Sequence, residues 1–166
     1  MHDEILDLVD KNDHVITTMP RSEVFSKKLK NFRVVCALLK NSSGQLFIPR
    51  RALNKADYAG YLACVGGCVQ SGESYENALR RETLEEVMID VDTKSYRFLG
   101  YISPYEHTVN GYVAVYEILV DDDVVNYAEQ DFCEGSWLFP AQIKGLIEKG
   151  EKVTINLSAI LELYYV

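Results

Sequence analysis

The chain has 166 residues, 48% of them hydrophobic, and a formal net charge of −8. That length and apolar content suit one ordinary domain, taken as residues 1–166, and exclude intrinsic disorder. The acidic balance argues against a broad phosphate-backbone interface, and so against a long nucleic acid as partner.

The opening MHDEILDLVDKND is acidic and has no apolar signal-peptide core. The longest clean apolar run, residues 34–39, is far too short to cross a bilayer. A cytoplasmic protein with no membrane partner is expected. Residues 5–9 and 15–18 flank KNDH and predict an N-terminal β-hairpin, and Pro20-Arg21-Ser22 opens a short helix through Lys28. Residues 33–40 form an apolar, β-branched strand, NSSG a turn, and residues 45–49 the return strand. A strand over 61–66 leads into a loop and a helix from Ser74 to about Val87. Strands follow at 96–102 and 112–119, with the loop SPYEHTVNG between them. A short strand at 137–139, a helix near 141–149 and an amphipathic helix at 157–164 close the chain. Strands outnumber helices and do not alternate strictly with them, which indicates an α+β fold. Cys36, Cys64, Cys68 and Cys133 lack a second Cys/His pair at zinc spacing and are expected to be buried free thiols.

The stretch GCVQSGESYENALRRETLEEVMI, residues 67–89, carries the chemistry. On a helix, Glu82, Glu85 and Glu86 stand at i, i+3 and i+4, so three carboxylates share one face. Like charges so close repel and need a compensator, and a hard divalent cation with oxygen ligands is the natural one. Leu84, Val87 and Met88 fall on the opposite side of the helical wheel and are expected to pack inward. Ser74 is the expected N-cap, with Glu76 near the positive end of the helix dipole. Gly67, Glu73, Arg81, Glu82, Glu85 and Glu86 are six fixed positions. At ~7% usage per residue type they coincide by chance about once in ten million starts.

That spacing resembles the Nudix box, G-x5-E-x7-R-E-U-x-E-E-x-G-U, with U a bulky apolar residue. Gly67, Glu73, Arg81, Glu82, Glu85, Glu86 and Ile89 match it, while Thr83 replaces the first U and Met88 the last glycine. A threonine methyl can still pack. Glycine ordinarily ends this helix in a left-handed conformation that methionine adopts poorly, so a changed exit, such as one more helical residue, is expected. The resemblance implies a three-layer α/β/α sandwich with a mixed central sheet between helices. It also implies Mg²⁺, with Mn²⁺ as a substitute, and hydrolysis of a nucleoside diphosphate linked to another moiety by water attack on phosphorus. Carried over by position, Glu82, Glu85 and Glu86 ligate or polarise the metal–water cluster, and the Gly66 carbonyl is an added ligand. Glu73 and Arg81 form a supporting salt bridge, and Gly66, Gly67 and Gly72 let the loop curl close to the ions.

Outside the box, family members often recruit another acid from a later loop; Glu134 is the best-placed candidate, with Glu129 and Asp131 as competitors. Arg50, Arg51 and Lys55 follow the strand QLFIPRR and are candidate phosphate contacts. Tyr101, Tyr105 and His107 are base-stacking candidates, with ordinary packing the more frequent role for such a loop.

The opening EILDLVDKNDHVITTMPRSEV and the core NFRVVCALLKNSSGQLFIPRR extend the resemblance to a bacterial Nudix subgroup. That subgroup is related in sequence to type 1 isopentenyl-diphosphate isomerase. Such isomerases use a cysteine just before the box glycine and a metal held partly by histidines. Here Gly66 and Cys68 stand at those box positions, and the upstream His-Arg pair is Phe32-Arg33. Three departures at the reacting centre favour the hydrolase, and the resemblance to the subgroup implies a small nucleotide as substrate, with nucleoside di- or triphosphates ahead of dinucleotides. An isomerase-like enzyme, a catalytically silent nucleotide-binding module and an RNA-decapping enzyme are the alternatives. Monomer and homodimer both remain open.

Overall fold

The strand Arg33–Lys40 is apolar on both faces, the pattern of a strand covered from two sides. It sits inside the sheet. The structure is a computed structural model and describes residues 3–121 and 125–166. In chain order the elements are β1 (Ile5–Val9), β2 (Val15–Pro20), α1 (Arg21–Ser26), β3 (Arg33–Lys40), β4 (Leu46–Arg51), β5 (Val65–Cys68) and α2 (Tyr75–Val87). After a 3-10 turn at Val91–Thr93 come β6 (Ser95–Ile102), β7 (Tyr112–Leu119), β8 (Phe132–Leu138), α3 (Pro140–Glu148) and α4 (Ile155–Tyr164).

The hairpin β1–β2 forms its own two-stranded sheet, as expected. The main sheet runs β6-β7-β3-β4-β8, with β5 also paired to β3. It is mixed: β3 and β7 are parallel, and the other pairings within it are antiparallel. Period-two alternation along β3 divides the core. Val34, Cys36 and Leu38 face a cluster that includes Ile143 of α3 with Leu157 and Ile160 of α4. Val35, Ala37 and Leu39 face a second cluster with Ala78, Leu79 and Val87 of α2. Helices thus cover both faces of the sheet. Each fully buried aliphatic side chain contributes about 1.5–3 kcal/mol to holding these layers together.

Several sequence expectations need correction. The strand before α2 is Val65–Cys68, not 61–66, because the glycines themselves pair with β3, Gly66 opposite Cys36 and Gly67 opposite Val35. The last sheet strand starts at Phe132 rather than 137, since β4 offers it a partner along most of its length. Leu84 and Met88 do not pack inward; both are exposed, and α2 buries Tyr75, Ala78, Leu79, Thr83, Glu86 and Val87 instead. The helix does not run one residue longer. Met88 itself takes the left-handed conformation at φ 54°, the geometry glycine would supply, and Thr83 O accepts the N–H groups of both Met88 and Ile89. Among the cysteines, Cys36 and Cys68 are buried free thiols, but Cys64 is half-buried and Cys133 exposed. Among the described residues no helix is long and apolar enough to cross a membrane.

Candidate active site

The site is built where β5 hands over to α2. Ser74 Oγ accepts the Asn77 N–H at 3.1 Å and starts the helix at Tyr75. From that start, residues 82 and 86 lie one turn apart and point back toward the β5 glycines. Glu86 is buried, and one of its carboxylate oxygens accepts the Gly66 N–H at 2.8 Å. Glu82 is 12% exposed and accepts from Arg81 Nη1 at 2.6 Å. Gly67 has no room for a side chain, because a Cβ there would lie 2.6 Å from Glu82 Oε1. At Gly66 a Cβ would clash with the Val35 carbonyl oxygen, and its φ of +136° suits glycine.

Arg81 ties the loop to the helix. It donates to both oxygens of Glu73, at 3.0 and 2.9 Å, and to the Cys68 carbonyl at 3.0 Å. Burial alone would raise the Glu73 carboxyl, but the Arg81 bonds and the Gln70 N–H outweigh it and hold Glu73 below its usual range. Glu82 goes the other way, raised by burial despite Arg81. Glu86 is pushed well above the usual carboxylate range, first by burial and then by the negative charge of Glu82.

Glu85 is 60% exposed and 3.6 Å from Arg81. The three helix glutamates therefore do not converge into a closed cage. Among the described residues no three His, Cys, Asp or Glu side chains are gathered closely enough to hold an ion as they stand. The donor chemistry nevertheless fits a hard divalent cation: the carboxylates of half-buried Glu82 and buried Glu86, a turn apart, repel each other, and the available ligands are oxygens.

Glu82, Glu85, Glu86, Gly66, Gly67 and Arg81 line a cleft of about 850 Å³. Arg51 and Lys55 line it too. Arg50 does not: on the other face of β4, it pairs with Glu134 at 3.1 Å and Glu151 at 2.9 Å. Glu134 is directly opposite Arg50 in the β4–β8 register and lies outside the cleft lining, whereas its competitor Asp131 lines the cleft and pairs with Lys55. Tyr101 packs in an aromatic cluster with Tyr75, Phe98 and Tyr112. The Tyr105 hydroxyl donates to the Val9 carbonyl, and His107 lines a separate hollow. None of these three lines the cleft.

Sequence reasoning missed two walls. Around α1, Arg21, Phe25 and Lys28 line the cleft, and so do Tyr58, Asn110 and Asn156 from three further segments. Nothing in their local sequence marks them as neighbours, because chain folding alone brings them together.

Comparison with known proteins agrees with this geometry. The family model for the NUDIX domain matches residues 30–157. An uncharacterized Nudix hydrolase of Nostoc sp. is 41% identical over 163 residues, spanning 98% of this chain and 96% of that protein. A nucleoside triphosphatase, NudI, of Salmonella agona is 29% identical over 66% of this chain and 83% of its own length. The crystal structure of DR0079 from Deinococcus radiodurans superposes with a TM-score of 0.92 at 37% identity, covering 98% of this chain and all of that one. A full-length relative at this identity, a matching domain and three glutamates lining one cleft on the box helix place the chain in the Nudix hydrolase family.

Proposed function

We propose that this protein is a cytoplasmic, Mg²⁺-dependent pyrophosphohydrolase that cleaves a phosphoanhydride bond of a small nucleotide by water attack on phosphorus, with Mn²⁺ able to substitute. The observation that carries this reading is the placement of Glu82, half-buried, and Glu86, buried, in the same cleft as Arg51 and Lys55. Anionic donors for a cation and cationic donors for a polyphosphate are the two halves that such a substrate requires. The name of the Salmonella relative, a nucleoside triphosphatase, supports a nucleotide as the class of substrate.

In this reading Glu82, Glu85 and Glu86 with the Gly66 carbonyl hold the divalent ion. That ion, when bound, neutralises phosphate charge and acidifies a water. The remaining work belongs to the chain. Arg81, locked by Glu73, fixes Glu82, and the Gly66 N–H fixes Glu86. Arg51 and Lys55 orient the phosphates. Asp131, rather than Glu134, is the acid from the later segment placed to accept a proton within the cleft. An isopentenyl-diphosphate isomerase reaction is not favoured, because a glycine at position 66 offers no thiol to the reacting carbon.

The test is a panel of nucleotides, sugar nucleotides and prenyl diphosphates with Mg²⁺ or Mn²⁺ in ¹⁸O-labelled water, read by product mass. Release of phosphate or a nucleoside monophosphate carrying one ¹⁸O is expected. Isomerised prenyl diphosphate, or binding with no turnover of any compound, would overturn the proposal.

A further inference from the structure

The same cleft is lined by Asn110, Asn156 and Tyr58, residues that the hydrolytic chemistry does not use. Asn110 is held from behind. The Asn156 side chain accepts the Asn110 N–H at 2.8 Å and donates to the Asn110 carbonyl at 3.1 Å, so the first turn of α4 fixes the backbone there. The next residue, Gly111, is pressed against β3, where a Cβ would meet Val34 Cγ2 at 2.6 Å and the Phe32 carbonyl oxygen at 2.9 Å. The Asn110 side chain is fixed in turn, since its Nδ2 donates to the Tyr58 hydroxyl oxygen at 2.7 Å. Tyr58 is itself constrained: its φ is 54°, and its ring stands edge-on to Tyr61 with centroids 5.2 Å apart.

This arrangement leaves a defined pair of unused groups. Asn110 Oδ1 has no hydrogen-bond partner among the described residues, and no buried side-chain oxygen or nitrogen among them lacks one, so Oδ1 is accessible to solvent on a residue that lines the cleft. Tyr58 accepts with its oxygen, which frees its proton to donate elsewhere. A fixed acceptor and a fixed donor therefore sit side by side. Phe25, Leu29 and Phe32 supply apolar and aromatic surface in the same cleft for the face of a ring.

We infer that Asn110 and Tyr58 form a base-reading site selective for a nucleobase that carries an amino group beside an unprotonated ring nitrogen, as cytosine and adenine do. Asn110 Oδ1 accepts from the exocyclic amino group, and the Tyr58 hydroxyl donates to the ring nitrogen. Uracil and hypoxanthine present a carbonyl and an N–H at those positions, so each would meet a like group and leave two polar groups unpaired. The inference rests on the nucleotide-hydrolase reading and deepens it by naming the substrate class.

The experiment compares kcat/KM for CDP with UDP and for ADP with IDP. In parallel, equilibrium binding of the non-hydrolysable α,β-methylene analogues of CDP and UDP is measured. The wild-type protein is expected to favour the amino-bearing member of each pair by about 10-fold or more. Tyr58→Phe is expected to bring the ratio close to unity through loss on the amino-bearing substrates, and Asn110→Leu to do the same. Should Asn110→Leu unfold, Tyr58→Phe decides, because it removes one oxygen atom and keeps the ring. Wild-type preference below twofold, preference for the keto partners, or a ratio unmoved by Tyr58→Phe would overturn the inference and leave Asn110–Tyr58 a structural clasp. Analogue binding that keeps the preference without any turnover would sustain the base site while removing the hydrolase reading. Neither binding nor turnover of either pair would remove both.

Discussion

Gly67→Ala tests whether the loop and the helix are fitted to each other around Glu82. The added Cβ would start 2.6 Å from Glu82 Oε1 and 2.7 Å from its Cδ. Real contacts need at least 3.0 Å and ordinarily 3.4 Å, so the carboxylate must retreat by 0.4–0.8 Å. It has little space to do so. Arg81 Nη1 is already 2.6 Å away, and Arg81 is anchored by two bonds to Glu73 and one to the Cys68 carbonyl. Overpacking of this kind costs about 1–3 kcal/mol, or a fall in Tm of about 3–9 °C for a protein of this size. With Glu82 in its proposed role, displacing its carboxylate by a sizeable fraction of an ångström is expected to lower turnover by about 100-fold. Initial rates on the preferred nucleotide at saturating Mg²⁺, with thermal melts alongside, measure both effects. Glu82→Asp in the same chain withdraws the carboxylate by one methylene, so the double variant should regain Tm while staying slow. Gly67→Ala turnover within threefold of wild type, or a double variant no more stable than the single one, would refute the close-fit argument.

Three further substitutions test the site and its helix. Glu86→Gln keeps an acceptor for the Gly66 N–H but removes a buried charge; its turnover should fall at least ~100-fold, and activity near wild type would take Glu86 out of the metal site. Because folding raises the Glu86 carboxyl above its ordinary 4.5, wild-type stability declines as pH climbs from there through the folded value. Without divalent ions, Glu86→Gln should therefore match the wild-type Tm near pH 4 and exceed it at pH 8; a constant difference across that range would contradict the burial argument. Met88→Gly should raise stability by about 0.5–1 kcal/mol, since it relieves a left-handed non-glycine residue (about 1–2 kcal/mol) against glycine's larger unfolded-state entropy. Met88 is 52% exposed, so little packing is lost, and a lower Tm would show that its side chain matters. Cys68→Ala should leave hydrolysis largely intact and the wild-type thiol slow toward iodoacetamide at pH 7, because burial pushes that thiol up to about 12. Loss of activity in Cys68→Ala would restore a chemical role to the sulfur.

The correspondence between sequence and structure is closest where the determinants are local. The hairpin, β3, β7 and the start of α2 at its Ser74 cap all lie where alternation, turn residues and capping place them. It fails where a residue's role depends on a distant partner. Leu84 reads as core on a helical wheel, yet α2 buries the Thr83–Glu86 side, because that side faces β5 and β3. Thr83 is fully buried and satisfies its hydroxyl on the Leu79 carbonyl at 2.8 Å, which accounts for its tolerance among apolar neighbours. Arg50 and Arg51 are indistinguishable in sequence. Strand alternation sends one into ion pairs with Glu134 and Glu151 and leaves the other in the cleft.

By itself the sequence determined the family, the helix that presents three carboxylates and the Glu73–Arg81 tie, because all of these depend on fixed spacing within 23 consecutive residues. Which acids are buried, that Asp131 and not Glu134 enters the cleft, and that α1, Tyr58 and Asn110 form its walls follow from tertiary structure. Those residues are separated by dozens of positions and meet only when the sheet closes. Burial, the quantity that raises Glu86, does not exist until the chain has folded, and neither does the contact between Asn110 and Tyr58.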